Sequence, residues 1–366
     1  MATSSRPGWQ PDWAVAPGEI LLEALQDREM TQSELAQRLG RPLKTINEII
    51  KGKAAITSET AIQLERALGI SARFWTNLET LYRDTLARQE AQAELEAQAD
   101  WVDRFPIADL VRHHLIERGR TKAATLANLL SWLGISSPAA FERVTAAAAY
   151  RASPAFAASP QAMTAWLRWG ELGAGPVEAS PFDARRFRQV LAEFRPMTRK
   201  APFDAIFRRV QAMCAEAGVV VVLTPELSGT HVSGAARWIG SKAVIQLSLR
   251  HRSDDQFWFT FFHEAGHILN GRRGRDYIDG IDTTDLGTEF DEQVADEFAR
   301  NTLLSPGDYG RFVDRHDFTG PSIRAFAEAQ SVSPGIVVGR LERDKHVKPG
   351  QLRFLKRAVR YPIDRR

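Results

Sequence analysis

Cysteine is nearly absent. Cys214 is the only one in 366 residues, which excludes an intrachain disulfide and any Cys-rich zinc or iron–sulfur site and points to a reducing, cytoplasmic setting. Long apolar runs are missing as well. The stretch GVVVVL at 218–223 is only strand-length, far from the ~18 residues that span a bilayer. The opening MATSSRPGWQPDWAVAPG carries no apolar segment of a secretory signal, so no membrane role is expected. Neither sign of charge dominates: 48 Lys plus Arg face 45 Asp plus Glu, a net +3. The chain is therefore no uniformly basic nucleic-acid coat, and any nucleic-acid site must be local. No repeat of fixed period and no long low-complexity tract occurs. What is present, 44% hydrophobic and 25% charged residues, is ordinary for a folded protein, at a length that favours two or three domains.

Four stretches differ in pattern. From Pro17 to about Glu96, apolar residues recur at three- and four-residue spacing, and RDTLARQEAQAELEAQ reads as a solvated helix. Residues 101–173 are again helical, Ala-rich and marked by Trp132, Trp166 and Trp169. GAGPVEASP at 173–181 has the composition of a linker. A helix is expected over Asp204–Ala217, capped by Gly218, followed by three strands in VVVVLTPEL, SGAARWIG and KAVIQLSLR. Helical patterning returns at Asp254 and runs nearly to the end. The expectation is a mainly α chain with one small sheet (α+β), divided at 1–96, 97–175, 176–320 and 321–366.

Within TQSELAQRLGRPLKTINEIIKGK at 31–53, Thr31 and Glu34 form a capping-box pattern. Leu35, Ala36 and Leu39 give one inner face, Gly40 permits a sharp turn, and Pro42 stands near the first turn of a second helix. Ile46, Ile49 and Ile50 form that helix's buried face; Lys44, Thr45, Asn47, Glu48 and Lys51 lie opposite, able to reach base edges or phosphates. Five cations against Glu48 give residues 38–53 a net charge of +4. This segment resembles a Cro/C1-type (XRE) helix-turn-helix. With PGEILLEAL before it and AIQLERALGISARFWTNLETLY after it, residues 15–90 resemble the five-helix, HigA-type antidote subgroup. The resemblance implies a homodimer on double-stranded operator DNA, half-sites about one helical turn apart. Lys44, Thr45 and Asn47 are the candidates for base contact; Gln32, Lys51 and Lys53 are those for phosphate.

FWFTFFHEAGHILNG at 257–271 holds His263, Glu264 and His267 as H-E-x-x-H. On a helix the two imidazoles share one face and can grip one metal ion, while Glu264 projects about 100° away, beside an open coordination position. A hydrolytic zinc site needs a third protein ligand. FDEQVADEFARNTLLSP supplies Glu292 and, one turn later, Asp296, the latter suited to accept the free N–H of a ligating imidazole. Asp291 and Glu297 are rivals that point elsewhere if Ala295, Phe298, Ala299 and Leu303 face inward.

HEAGHILN followed by EQVADEFARNTLLSP resembles the ImmA/IrrE family of gluzincin-like metallopeptidases over about residues 217–341. The resemblance assigns His263, His267 and Glu292 as ligands of Zn2+, with Mn2+ the other candidate, and Glu264 as general base. Val294 departs from the family, where many relatives carry Glu. The implied reaction is metal-assisted peptide hydrolysis, with His231, Tyr277 and His316 as candidates for an oxyanion donor. KAVIQLSLR is a candidate edge strand for an extended substrate.

Residues 322–341 have the outline of a second helix-turn-helix without the turn glycine, which favours a structural helix pair. From Arg340 to Arg366, ten Lys or Arg face three acids, a net +7, either a solvated tail or a contact for DNA phosphate or an acidic partner. Together these features imply a DNA-binding transcriptional regulator carrying a metallo-endopeptidase that cleaves a Cro/C1-type repressor or itself, in a stress or DNA-damage response or in mobile-element control. The alternative is a HigA-like antitoxin and autorepressor that binds a toxin and uses the peptidase fold as a scaffold.

Overall fold

The computed structural model describes residues 15–149, 159–200, 202–270, 277–278 and 286–361. The chain forms two compact units that divide between Ala99 and Asp100.

Five helices build the first unit: α1 (Pro17–Gln26), α2 (Gln32–Leu39), α3 (Leu43–Ile50), α4 (Ser58–Leu68) and α5 (Ala72–Ala97). The Thr31 capping box is formed, with Glu34 N–H donating to Thr31 Oγ1 at 3.2 Å and Thr31 N–H to Glu34 Oε2 at 2.7 Å. Gly40 ends α2 at φ 65°, a left-handed turn that glycine adopts without penalty, and Pro42 caps α3 from just outside it. Leu21, Leu25, Leu35, Ile46, Leu64 and Trp75 are fully buried between the helices. Only the start of α5 is covered, at Trp75 and Glu79; the Glu79 carboxylate accepts Ile56 N–H at 3.0 Å. Its second half is largely exposed, as the Ala, Glu and Gln composition implies.

The second unit comprises α6 (Ile107–Arg112), α7 (Lys122–Leu133), α8 (Pro138–Ala149), α9 (Pro160–Ala174), α10 (Ala184–Met197), α11 (Phe203–Glu216), α12 (Asp254–Asn270), α13 (Leu286–Leu303), α14 (Pro306–Asp314), α15 (Gly320–Ala329) and α16 (Pro334–Arg343). Its sheet holds β1 (Val219–Leu223), β2 (Gly234–Ile239), β3 (Lys242–Leu247) and a two-residue β4 (Tyr277–Ile278), in the order β1-β3-β2-β4. β1 runs parallel to β3, and β2 antiparallel to β3 and to β4. The three expected strands are present and shorter than their apolar stretches. β3 is bonded on both sides, so KAVIQLSLR is an interior strand and not the edge expected from its position in the chain.

Both faces of β1 are buried, which explains its unbroken valines. Val219 and Val221 join the main core with α10, α11 and α12, whereas Val220 and Val222 pack with Val244 and Ala174 on the opposite face. The Trp-bearing middle is bound tightly to the sheet: Gln246 Nε2 donates to Trp166 O at 2.7 Å and to Thr224 Oγ1 at 2.8 Å, and Asp109 accepts Ser228 N–H at 2.6 Å. The 173–181 segment is irregular after Ala174, but Lys242 Nζ pins it through the carbonyls of Gly175 and Val177.

α15 and α16 form the expected structural pair. Ser331 takes the left-handed turn at φ 56° in place of a glycine, while Ile336, Val337, Val338 and Leu341 are buried in the unit's core. The basic C-terminal stretch is not a free tail as far as Tyr361. Lys356 Nζ is held by Asp255 at 2.7 Å and Glu342 at 2.6 Å, and Arg357 Nε by Asp254 at 3.1 Å. No helix among the described residues is long and apolar enough to cross a membrane.

Candidate metal centre and nucleic-acid interface

The first unit presents its candidate base contacts on α3, with Gln32 at the start of α2 and Lys51 and Lys53 just past the end of α3. Ile46 and Ile49 are buried beneath it, and at about 100° per residue Lys44, Asn47, Glu48 and Lys51 fall on the outward stripe, with Thr45 on its flank. Ile50 is only half-buried. Lys44 is 84% exposed and reaches Glu48 Oε1 at 3.8 Å, a pair at i,i+4. Lys51 and Lys53 are exposed, whereas Gln32, Thr45 and Asn47 are partly covered. This is a polar helix face on a rigid support, the form needed to enter a major groove.

The second unit brings residues 263, 267 and 292 together. Along α12, Phe257, Trp258, Phe261, Phe262, Ala265 and Ile268 are buried, and the same helix carries His263, Glu264 and His267 into the interior at 3%, 0% and 3% exposure. α13 crosses closely because Gly266 has no side chain: a Cβ there would stand 3.1 Å from the Cα of Ala295. The crossing sets Glu292 against both rings. His263 Nε2 lies 3.0 Å from Glu292 Oε2, His267 Nε2 3.3 Å from Glu292 Oε1, and the two Nε2 atoms are 3.0 Å apart.

These donors fit a metal ion. Two neutral imidazoles and one carboxylate make a three-ligand set that leaves one position open. Separations of 3.0–3.3 Å are close to the edge, roughly 3.3 Å, of a tetrahedron with ~2.0–2.1 Å arms. Among the described residues, this is the group of His, Cys, Asp and Glu that meets such spacing. Glu297 points to solvent, where Oε1 accepts from Asn301 at 3.4 Å, and Asp291 does not belong to the group.

Asp296 lies 3.0 Å from His263 Nδ1, which orients that ring with Nε2 towards the cluster. Arg343 bonds the other oxygen of Asp296 and lies over the Phe259 ring, 4.6 Å from its centroid. Burial alone would raise the Glu292 carboxyl, but its hydrogen bonds to His263 and His267 and the electrostatic pull of the two rings hold it at about 2. Burial also opposes ionisation of Asp296; its bond to His263 and the charges of Arg343 and Arg300 nevertheless keep it below the usual carboxylate range. On the sheet side, a Cβ at Gly234 would stand 2.5 Å from Glu264 Oε1 and 2.8 Å from Thr260 Cγ2. The start of β2 is thus the wall against which the Glu264 carboxylate rests.

Arg343, Phe259 and Gly234 escaped the sequence reading. In the sequence Arg343 is one cation of a basic stretch, with no local signal of its partner. The sole signal for Gly234 was the run of small residues opening SGAARWI. The candidate oxyanion donors His231 and His316 are exposed residues at φ 45° and 52°, and Tyr277 pairs through its backbone with Ala236.

The helix-turn-helix family HTH_3 matches residues 21–75. The chain is 37% identical over 81 residues to virulence-associated protein I of Dichelobacter nodosus, covering 22% of this chain and 75% of that protein. It is 32% identical over 79 residues to the HTH-type transcriptional regulator YddM of Escherichia coli (strain K12), covering 22% and 82% respectively. The solved structure of Pseudomonas aeruginosa antitoxin HigA with the higBA promoter is 31% identical, with a TM-score of 0.22, over 24% of this chain and 95% of that one. Through its first unit, the chain belongs to the HTH_3 family of helix-turn-helix proteins.

Proposed function

We propose that this protein is a transcriptional regulator whose first unit binds operator DNA as a homodimer and whose second unit is a zinc-dependent endopeptidase of the ImmA/IrrE type. Its substrate is a repressor, either a partner of the Cro/C1 type or the chain itself, and cleavage switches gene expression. The DNA-binding half rests on the family match over residues 21–75 and the polar outer face of α3. One observation carries the enzymatic half: two imidazoles and a carboxylate converge with mutual ligand-atom distances within 4.8 Å, while Glu264 is fully buried one residue from His263.

His263, His267 and Glu292 would hold the ion. Zinc in such a set supplies Lewis acidity towards water and the scissile carbonyl. Glu264 takes a proton from the attacking water and delivers it to the leaving amine nitrogen as the peptide bond breaks. Gly234 leaves room for its carboxylate, and Asp296 fixes the ring of His263 in the orientation that ligation requires. Apolar packing on α12 keeps these groups rigid.

The test is Glu264→Gln in the full chain, with metal content measured by mass spectrometry and repressor cleavage followed on gels. The variant is expected to keep stoichiometric zinc and to lose cleavage by at least about 10²-fold. Parent and variant releasing operator DNA equally under inducing conditions would sink the protease switch. That result would favour an antitoxin and autorepressor in which the second unit is a scaffold that holds a toxin.

A further inference from the structure

We infer that the second unit carries its own groove for the phosphate backbone of duplex DNA, between the turn at 250–253 and the C-terminal segment 350–360. This site is distinct from α3 and independent of the metal centre. The groove has a volume of about 890 Å³ and is lined by Arg250, Arg252, Arg353, Lys356, Arg357 and Arg360, against one carboxylate, Glu342.

The six cations fall into two sets. Arg250 is paired with Glu226 at 3.4 Å, Lys356 with Asp255 and Glu342, and Arg357 with Asp254; these belong to the frame. Arg252, Arg353 and Arg360 are exposed and have no carboxylate within ion-pair distance among the described residues. Their charge is not neutralised by an ion pair among the described residues, and an external polyanion would supply the missing partner.

The backbone holds this arrangement in place. Arg252 stands at φ 50°, in the left-handed region that a side chain disfavours. Val359 N–H donates to Arg252 O at 3.0 Å, Asp254 N–H donates to Arg357 O at 2.9 Å, and Ser253 bridges Ala358. The C-terminal segment therefore locks the turn that carries Arg252 beside the segment that carries Arg353 and Arg360.

The chemistry of the lining selects the ligand. Five of its six cations are arginines, whose planar fork matches two phosphate oxygens. Among the described residues no Phe, Tyr or Trp lines the groove, whose one ring is that of His251, so it lacks the run of aromatic platforms on which successive unpaired bases stack. A sequence-independent grip on duplex backbone fits this surface. The same chain carries a helix-turn-helix unit, so duplex DNA is a ligand class that this protein already meets.

The experiment uses the full chain, a fluorescent random-sequence duplex and the triple variant Arg252→Gln, Arg353→Gln, Arg360→Gln. Loss of three phosphate contacts should lower the slope of log affinity against log salt by about 2.7 and weaken binding at least about tenfold at ~0.1 M salt. The same loss should appear in a Lys44→Ala, Thr45→Ala background, which separates the groove from α3. Should the triple variant misfold, Arg353→Gln and Arg360→Gln singly should each lower the slope by about 0.9. An unchanged slope overturns the proposal. So does loss of binding to polyglutamate or inorganic polyphosphate alone, with duplex affinity intact, because the groove would then serve an acidic protein or a free phosphate chain.

Discussion

The two units present functional groups in opposite ways. In the first, candidate DNA-reading side chains stand outside one eight-residue helix whose inner face is buried. Lys44 shows how loosely they are held: it is 84% exposed and reaches its charge partner Glu48 only at 3.8 Å. In the second, His263, Glu264 and His267 are buried, and their surroundings come from β2, α13 and α16. A reading helix needs only a rigid mount, because DNA completes its geometry. Metal donors must already stand within a few tenths of an ångström of their working positions, so the fold itself has to fix them. Single substitutions should therefore act locally and weakly on the first site, and through neighbours and strongly on the second.

Two glycines test this most sharply. Gly234→Ala introduces a Cβ into the space of the Glu264 carboxylate and the Thr260 methyl group. Displacement of about 1 Å at a general base costs on the order of 10²-fold in turnover, so cleavage should fall by that factor while zinc content stays unchanged. Gly40→Ala meets no atom within 4 Å; its penalty is only the left-handed φ of 65°, about 1 kcal/mol, read as a lower melting temperature with operator affinity almost intact. Equal effects of the two changes on their respective activities would erase the distinction.

Charge pairs repeat the contrast at smaller scale. Lys356→Met would strand Asp255, whose side chain is 3% exposed, and should cost about 3 kcal/mol. Lys44→Met removes only an exposed i,i+4 pair, worth roughly 0.3–0.5 kcal/mol. Burial works against the charge on Lys356, but its bonds to Asp255 and Glu342 prevail and raise its pKa. A raised pKa means that the pair's stabilisation is complete below the ordinary lysine value of about 10.4 and fades as pH climbs through the raised one. The gap between parent and Lys356→Met should thus be flat across neutral pH and close only in strong alkali, as followed by chemical denaturation.

What could be read from the chain alone divides along the same line. The capping box, Gly40 and the isoleucine face of α3 are signals contained in two dozen consecutive residues, so the first unit was legible almost position by position. The grouping of residues 263, 267 and 292 was legible because two i,i+4 patterns, each contained in one helix, point at each other. Arg343 was not, since it meets Asp296 only after a separation of 47 positions. Strand order is equally hidden: the alternation in KAVIQLSLR fixes its faces but not its neighbours, so the sequence does not distinguish an interior strand from an edge. The basic C-terminal stretch is hard to read for a related reason: besides nearby Glu342, the carboxylates that hold Lys356 and Arg357, Asp255 and Asp254, stand about a hundred residues earlier. Local physics writes helices and caps; only tertiary packing decides which charges are consumed.

The smallest expected effect sharpens the comparison from the side of the first unit. Thr31 caps α2, accepting Glu34 N–H, while its own N–H and hydroxyl donate to the Glu34 carboxylate. Thr31→Ala should remove about 1 kcal/mol from that unit, visible as an earlier unfolding step. The bonds from Thr31, backbone first, hold the Glu34 carboxyl below its usual value, so its contribution is complete above about pH 4.3 and lost as pH falls further. The difference between parent and variant should accordingly narrow in acid. Zinc content and peptide cleavage should not move, because the cap and the metal cluster lie in separate compact units. A change in either would mean that the stability of the reading helices is coupled to the metal centre, and the division of labour between the two units would have to be redrawn.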